Sequence, residues 1–203
     1  MQPPHDRPGR NPRVRMTGIE VLSDNWYTLR KATFEFEGPD GEWRTEQREA
    51  YDRGNGATVL LYDPERSTIV LTRQFRMPAF LNEHPDGMLV ETPGGLLDGD
   101  DPLTAMRREL EEETGYVVSE LAQLYDVYMS PGSVTERVIF FHGTYSPHAR
   151  TSAGGGHEAE GEHIEVFEPT LDEAAAMIER GEIRDGKTIM LIQWAQLHPE
   201  QLV

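Results

Sequence analysis

Gly94 to Tyr116 reads GGLLDGDDPLTAMRRELEEETGY, a glycine-opened turn running into a helix. Asp101 suits the N-cap, Pro102 the first helical position and Gly115 the stop, which predicts a helix over 102–114. Leu103, Met106 and Leu110 recur at helical spacing and give it an apolar stripe to bury. Beside that stripe run acids. At about 100° per residue, Glu113 lies roughly 40° from Glu109, with Glu112 about 60° to the other side. Like charges that close repel one another and weaken an isolated helix.

A hard divalent cation relieves that repulsion, because Mg²⁺ takes oxygen ligands and keeps some of its waters. Arg108 is placed to pair with Glu112 at i, i+4, which would leave Glu109 and Glu113 for metal. Taken alone, Arg-Glu-x-x-Glu-Glu also describes a solvated charged helix.

Working outward, the chain alternates strands and helices. Strands are read from Ile19, with Ala32–Glu37 and Trp43–Tyr51 joined by the turn Gly38-Pro39-Asp40-Gly41. Ala57–Tyr62 and Thr68–Thr72 follow as two buried runs around Asp63-Pro64-Glu65-Arg66, then a short strand at Met88–Glu91. Beyond the helix, strands fit Leu121–Tyr128, Val138–Tyr145 and Ile164–Glu168, and helices fit Leu171–Arg180 and Lys187–Leu197. Ala149 to His163, with Gly154-Gly155-Gly156, reads as a mobile loop. Strands and helices mixed on this scale in 203 residues argue for one α/β or α+β sandwich.

Composition narrows the function classes. Asp and Glu number 36 against 19 Lys and Arg, a formal charge of −17, which argues against gripping nucleic acid through its phosphates. The absence of cysteine excludes disulfides, thiolate metal sites and cysteine nucleophiles. No run approaches the roughly 18 apolar residues of a membrane helix, so no membrane association is expected. Residues 1–15 hold Arg7, Arg10, Arg13 and Arg15 against Asp6, with four prolines and no apolar core of a signal peptide. They read as a flexible basic tail, and cytoplasm is the expected location. The histidines lack a zinc spacing, and the glycine run is no P-loop because no Gly-Lys-Ser/Thr follows it.

Gly94, the acid Asp100 and Arg108 to Tyr116 together resemble the Nudix box over its whole length, with Asp100 standing where the family pattern has Glu. Pro131, 15 residues beyond Tyr116, resembles the nucleoside-diphosphate-sugar branch that includes ADP-ribose pyrophosphatases. From Ile19 to Leu197 the chain looks like the GDP-mannose hydrolases of that superfamily. The segments that carry this likeness include Tyr51–Ala57, Arg73–Arg76, Ser130–Glu136, Ala153–Gly156 and Gly181–Thr188.

The resemblance implies a Nudix-type α/β/α sandwich with a mixed sheet over 56–203. It also implies an antiparallel β region over 16–55 that assists homodimerisation. It implies Mg²⁺, with Mn²⁺ as a substitute, held by Glu109, Glu112, Glu113, the Gly94 carbonyl and a loop carboxylate best matched by Glu162. Glu160 and Glu158 compete for that position, and the catalytic base is open between Glu160 and Glu162. Glu113 and Arg108 complete the catalytic set. Arg76, whose guanidinium can bond two oxygens at once, and Lys187, at the start of the last helix, are the phosphate ligands. Arg48 and Glu49 match family positions that meet the nucleotide, in related dimers across from the neighbouring subunit, and Glu136 matches another substrate position. Trp26 or Tyr27 would stack on the base, although an aromatic here also suits a core. The implied reaction converts GDP-mannose to GMP and mannose 1-phosphate. The alternatives are an ADP-ribose pyrophosphatase giving AMP and ribose 5-phosphate, or a silent module that senses a nucleotide sugar.

Overall fold

A computed structural model describes residues 11–156 and 163–202. The chain resolves into two units: one runs to Gly54 and takes in Ser130–Glu136, and the other comprises Asn55–Met129 and Arg137 onward.

The first unit is an antiparallel meander of β1 (Val14–Asp24), β2 (Thr28–Glu37) and β3 (Trp43–Asp52). The turn read at Gly38–Gly41 is present, closed by the Gly41 amide donating to the Gly38 carbonyl at 3.0 Å. Strand structure begins at Val14 rather than Ile19, so Val14 and Arg15, read as tail, belong to the sheet. Their neighbours explain the extension. Arg13 donates to the Glu37 carbonyl at 2.9 Å, and the Arg15 guanidinium lies 3.6 Å from the Trp43 ring centroid. The free edge of β3 is met by Ser130–Glu136: the Tyr51 amide donates to the Ser133 carbonyl, and the Thr135 amide to that of Tyr51.

The second unit holds a mixed sheet. β4 (Gly56–Asp63) runs parallel to β10 (Arg137–Thr144), which pairs antiparallel with β9 (Ala122–Tyr128). β5 (Thr68–Ile69) and β8 (Gly94–Leu96) pair with opposite ends of β4. A second antiparallel sheet places β6 (Leu71–Phe75) between β7 (Met88–Glu91) and β11 (Glu165–Phe167). Side chains of a strand alternate between faces, and β4 shows it. Val59 and Leu61 join Met106 and Leu110 of α2 (Pro102–Thr114), while Leu60 joins Ala174 and Met177 of α3 (Leu171–Glu179) and Leu191 and Ile192 of α4 (Gly186–Leu197). β10 repeats the division, with Ile139 and Phe141 towards α2 and Val138 and Phe140 towards α3 and α4. The expected α/β/α sandwich is therefore built with the mixed sheet as its middle layer.

Three local readings differ. Thr68–Thr72 is two strands, because the Val70 amide bonds the Leu61 carbonyl while Leu71 starts the second sheet. A short helix, α1 (Met77–Leu81), follows Arg76 with Pro78 in its first turn. Gly94–Leu96, read as turn, pairs with Gly56–Thr58, and a Cβ at Gly94 would overlap the Ala57 carbonyl. Only glycine lets these two backbones approach so closely.

Candidate active site

α2 starts and stops as its residues dictate. The Asp101 carboxylate accepts from the amides of Leu103 (3.1 Å) and Thr104 (3.3 Å), and Gly115 ends the helix at φ 76°. Its acidic strip faces β8. Glu113 is buried at 3% exposure and accepts from the Gly94 amide at 3.0 Å. The Glu109 carboxylate lies against the α-carbon of Gly95, in the space a side chain there would take. Two box carboxylates and the Gly94–Gly95 backbone thus converge.

Arg108 does more than pair with Glu112. It reaches Glu112 at 3.2 Å, but the same nitrogen lies 2.8 Å from Glu109, and Asp98 is 3.8 Å away. One half-exposed guanidinium thus sits against both carboxylates, Glu109 as well as the expected Glu112. Burial lowers the Arg108 pKa, and Glu109, Glu112 and Asp98 together more than reverse that. Among the described residues, no three His, Asp or Glu side chains converge as a ready-made metal site. The donor set nevertheless suits Mg²⁺, which takes hard oxygen ligands and commonly binds through one or two carboxylates together with substrate phosphates.

The glycine run is used differently from the free hinge its composition suggests. A helix leaves its last carbonyls without intrahelical partners. Here the Gly155 amide donates to the Glu113 carbonyl at 2.8 Å and the Gly156 amide to that of Glu112 at 3.1 Å. Gly154, Gly155 and Gly156 all have positive φ, and a Cβ at Gly154 would overlap the Glu113 carbonyl. The Ile164 amide returns to the Gly155 carbonyl at 3.2 Å. The segment between them carries Glu158, Glu160 and Glu162, which lie outside the described residues. A cavity of about 560 Å³ is lined by Phe75, Met88, Gly154–Gly156, His163 and Glu165.

Arg76 and Lys187 meet at a residue that sequence reading passed over. Arg76 sets its Nε 2.7 Å from one oxygen of Glu91 and a terminal nitrogen 3.1 Å from the other. Lys187 bonds the second of those oxygens and sits 2.9 Å from Asp185. Burial would raise the Glu91 pKa, but the Lys187 ammonium and the Arg76 guanidinium outweigh it and bring it down to about 2. Burial likewise works against the Arg76 charge, and Glu91 restores it with help from Glu113 and Asp185. Arg76 is therefore within electrostatic reach of a box carboxylate. A chain of threonines fixes the surroundings: Thr58 and Thr92 hydroxyls lie 2.8 Å apart, the Thr92 amide donates to Thr188 Oγ1 at 2.7 Å, and the Thr188 amide to Asp185 at 2.9 Å.

The remaining candidates belong to the first unit. Trp26 is 81% exposed, which removes the core reading, and its ring meets Tyr27 edge-on at 6.3 Å. Tyr27 in turn meets Tyr51 at 5.8 Å. Glu136 lies 3.4 Å from Arg53, whose guanidinium is 5.8 Å from the Tyr27 centroid. The Arg53 Nε is buried with no hydrogen-bond partner among the described residues. Arg53 lies in the Tyr51–Ala57 segment that carries the family likeness, but no spacing there marks its side chain. Arg48 pairs with Glu46 at 2.6 Å, and Glu49 is exposed opposite Lys31. Neither joins the Tyr27–Arg53–Glu136 cluster through a contact among the described residues.

Known proteins resemble this chain along nearly its whole length. Residues 13–51 match the GDP-mannose pyrophosphatase NudK N-terminal domain and residues 52–192 the NUDIX domain. The chain is 50% identical to a GDP-mannose pyrophosphatase of Citrobacter koseri over 191 residues, 94% of this chain and 98% of that protein. It is 49% identical to the one of Shigella dysenteriae serotype 1 over 178 residues, 88% and 92% of the two chains. A crystal structure of an ADP compounds hydrolase superposes with a TM-score of 0.70 at 15% identity, covering 94% of this chain and 97% of its own, a likeness of fold. With the box on α2 and β8, and the NUDIX model covering most of its length, the chain belongs to the NUDIX family.

Proposed function

We propose that this protein hydrolyses the pyrophosphate bond of GDP-mannose with Mg²⁺, giving GMP and mannose 1-phosphate. The observation that carries this reading is one constellation: Glu109 and Glu113 against the Gly94–Gly95 backbone, with Arg76 in electrostatic reach of Glu113. Substrate identity is supported by the half-identity to GDP-mannose pyrophosphatases along nearly the whole chain.

Glu109, Glu112 and Glu113, the Gly94 carbonyl and Glu162 would hold the metal, which when bound screens phosphate charge and lowers the pKa of water. Mn²⁺ offers the same oxygen preference. Arg76 and Lys187 bind the phosphate oxygens, the guanidinium through two parallel hydrogen bonds. Glu162 or Glu160 takes a proton from the attacking water as its oxygen bonds to phosphorus and the bridging P–O bond breaks. Arg108 acts through Glu109 and Glu112, holding their carboxylates towards β8. Trp26, Tyr27, Arg48, Glu49 and Glu136 bind the nucleotide sugar.

We further propose a cytoplasmic homodimer. Supporting the dimer, Ile19 and Val21 stand on one side of β1 at 49% and 56% exposure, with Leu22 and Trp26 nearby in sequence also exposed. The cysteine-free composition suits a reducing compartment. Among the described residues no helix is long and apolar enough to cross a membrane.

The test is product analysis with Mg²⁺ on GDP-mannose, ADP-ribose, ADP-glucose, NADH and CoA. GDP-mannose should turn over fastest, releasing GMP. A preference for ADP-ribose would move the enzyme to the neighbouring specificity, and no turnover of any compound would overturn the hydrolase reading.

A further inference from the structure

We propose that Glu91 is a positioning residue for substrate: one buried carboxylate holds Arg76 and Lys187 side by side so that both meet the same pyrophosphate. This rests on reading those two cations as phosphate ligands.

Three observations carry it. The first is convergence from distant sequence. Arg76 follows β6, Glu91 ends β7 and Lys187 opens α4, with 15 and 96 residues separating the carboxylate from its two partners. One oxygen of Glu91 accepts from both cations, so two positive side chains stand within a few ångströms of each other. Without an anion between them they would repel.

The second is a gradient of exposure. The Glu91 side chain is 4% exposed, Lys187 19% and Arg76 38%. The carboxylate lies deepest, and the two cations that bond it are progressively more exposed. Arg76 uses Nε and one terminal nitrogen on Glu91, and a guanidinium has a second terminal nitrogen to offer. Lys187 uses two acceptors, Glu91 and Asp185, and an ammonium has three N–H groups. Among the described residues, each cation is thus oriented by part of its hydrogen-bonding capacity, and its chemistry provides a further donor for a ligand.

The third is the rigidity around that carboxylate. The residue after Glu91 is fastened by the Thr92 amide to Thr188, one position from Lys187, and by its hydroxyl to Thr58. β7 and α4 are therefore joined at the point where Glu91 must hold still. A site gathered before the ligand arrives spends less of the binding free energy on ordering side chains.

Composition makes the test clean, since Lys31 and Lys187 are the chain's two lysines and Lys31 pairs with Glu20 in the first unit. Steady-state kinetics on GDP-mannose with Mg²⁺ would compare wild type, Glu91→Gln and Glu91→Asp. The Gln variant should raise KM at least tenfold with kcat within about threefold, the pattern of lost uniform binding, and Asp should recover part of it. In the full chain with ¹³C-methylated lysines, inorganic pyrophosphate without metal should shift the Lys187 signal and leave Lys31 in place. In the Gln variant the Lys187 signal should move towards that of a free lysine.

A folded Gln variant with KM unchanged or lowered would show that Glu91 neutralises charge without positioning it, and would overturn the proposal. If the Gln variant does not fold, the Asp variant decides: KM raised, with a displaced Lys187 signal, supports the proposal, and wild-type values for both overturn it. Failure of the parent reading looks different. Pyrophosphate would then leave Lys187 unmoved in wild type, and Arg76→Ala would leave KM unchanged.

Discussion

Two charged regions of the second unit are built in opposite proportion. On α2, among the described residues, Arg108 meets both Glu109 and Glu112 with Asp98 nearby, and the cluster is partly open to solvent. At the end of β7 a single carboxylate, Glu91, serves Arg76 and Lys187, and it is almost wholly buried. A chain of net charge −17 could have spread its acids evenly. It instead gathers carboxylates on one ledge and sets two cations around one carboxylate elsewhere. Pyrophosphate with its metal needs both, a place for the cation and a place for the phosphate oxygens. On the proposed reading, segregation rather than total charge is what marks the site.

The carboxylate ledge carries the largest expected effect. Glu113→Gln keeps the shape and the bond from the Gly94 amide but removes the charge, and activity should fall about 10²–10³-fold, as when a group that stabilises developing charge is lost. Glu109→Gln should behave alike. Circular dichroism should confirm that each variant is folded, and chromatography of released GMP should measure the loss. Full activity in both variants would break the contrast, since the ledge would then be an ordinary solvated helix face.

The buried carboxylate should announce itself in acid. Its pKa falls from an ordinary 4.5 to about 2, so its contribution to stability is complete above about pH 4.5 and is lost as pH drops through 2. A shift of that size corresponds to about 3 kcal/mol at neutral pH. Urea unfolding of wild type and Glu91→Gln should differ most at pH 6 and converge only at about pH 2 and below. A constant difference across that range would mean that the stabilisation is packing rather than charge.

How much of this could be read from the chain follows the same division. α2 was legible to the residue, because Asp101, Pro102 and Gly115 are local signals that act within one turn. The acidic ledge was legible for that reason too. Glu91 was not, since its partners lie 15 and 96 residues away and nothing near Met88–Glu91 marks the carboxylate as buried. The split at Val70, the pairing of Gly94–Leu96 and the cover on β3 by Ser130–Glu136 were likewise decided by distant backbone. The glycine run was half legible. Its composition announced backbone freedom, but only the open carbonyls of Glu112 and Glu113 determine how that freedom is spent.

That reading of the glycines gives a smaller effect. Gly154→Ala forces a side chain into left-handed backbone against the Glu113 carbonyl, and should cost about 1–3 kcal/mol in thermal unfolding. It should also reduce turnover, because the displaced carbonyl belongs to a ledge residue. An unchanged melting temperature would mean that the run does not cap α2 in solution.

The smallest expected change sharpens the comparison most, because it alters the proportion itself. On the proposed reading Arg108 would compete with a metal for Glu109 and Glu112 at a half-exposed position, where such an ion pair is worth about 0.2–1 kcal/mol. Arg108→Gln makes the ledge more negative. If competition dominates, the Mg²⁺ concentration for half-maximal activity should fall two- to fivefold while the rate at saturating Mg²⁺ changes little. If Arg108 instead aims Glu109 at β8, the Mg²⁺ requirement should rise and saturation should not restore the rate. The first result would make the ledge a reservoir of charge tempered by one arginine. The second would make it a counterpart of Glu91, a charge whose task is to place its neighbours.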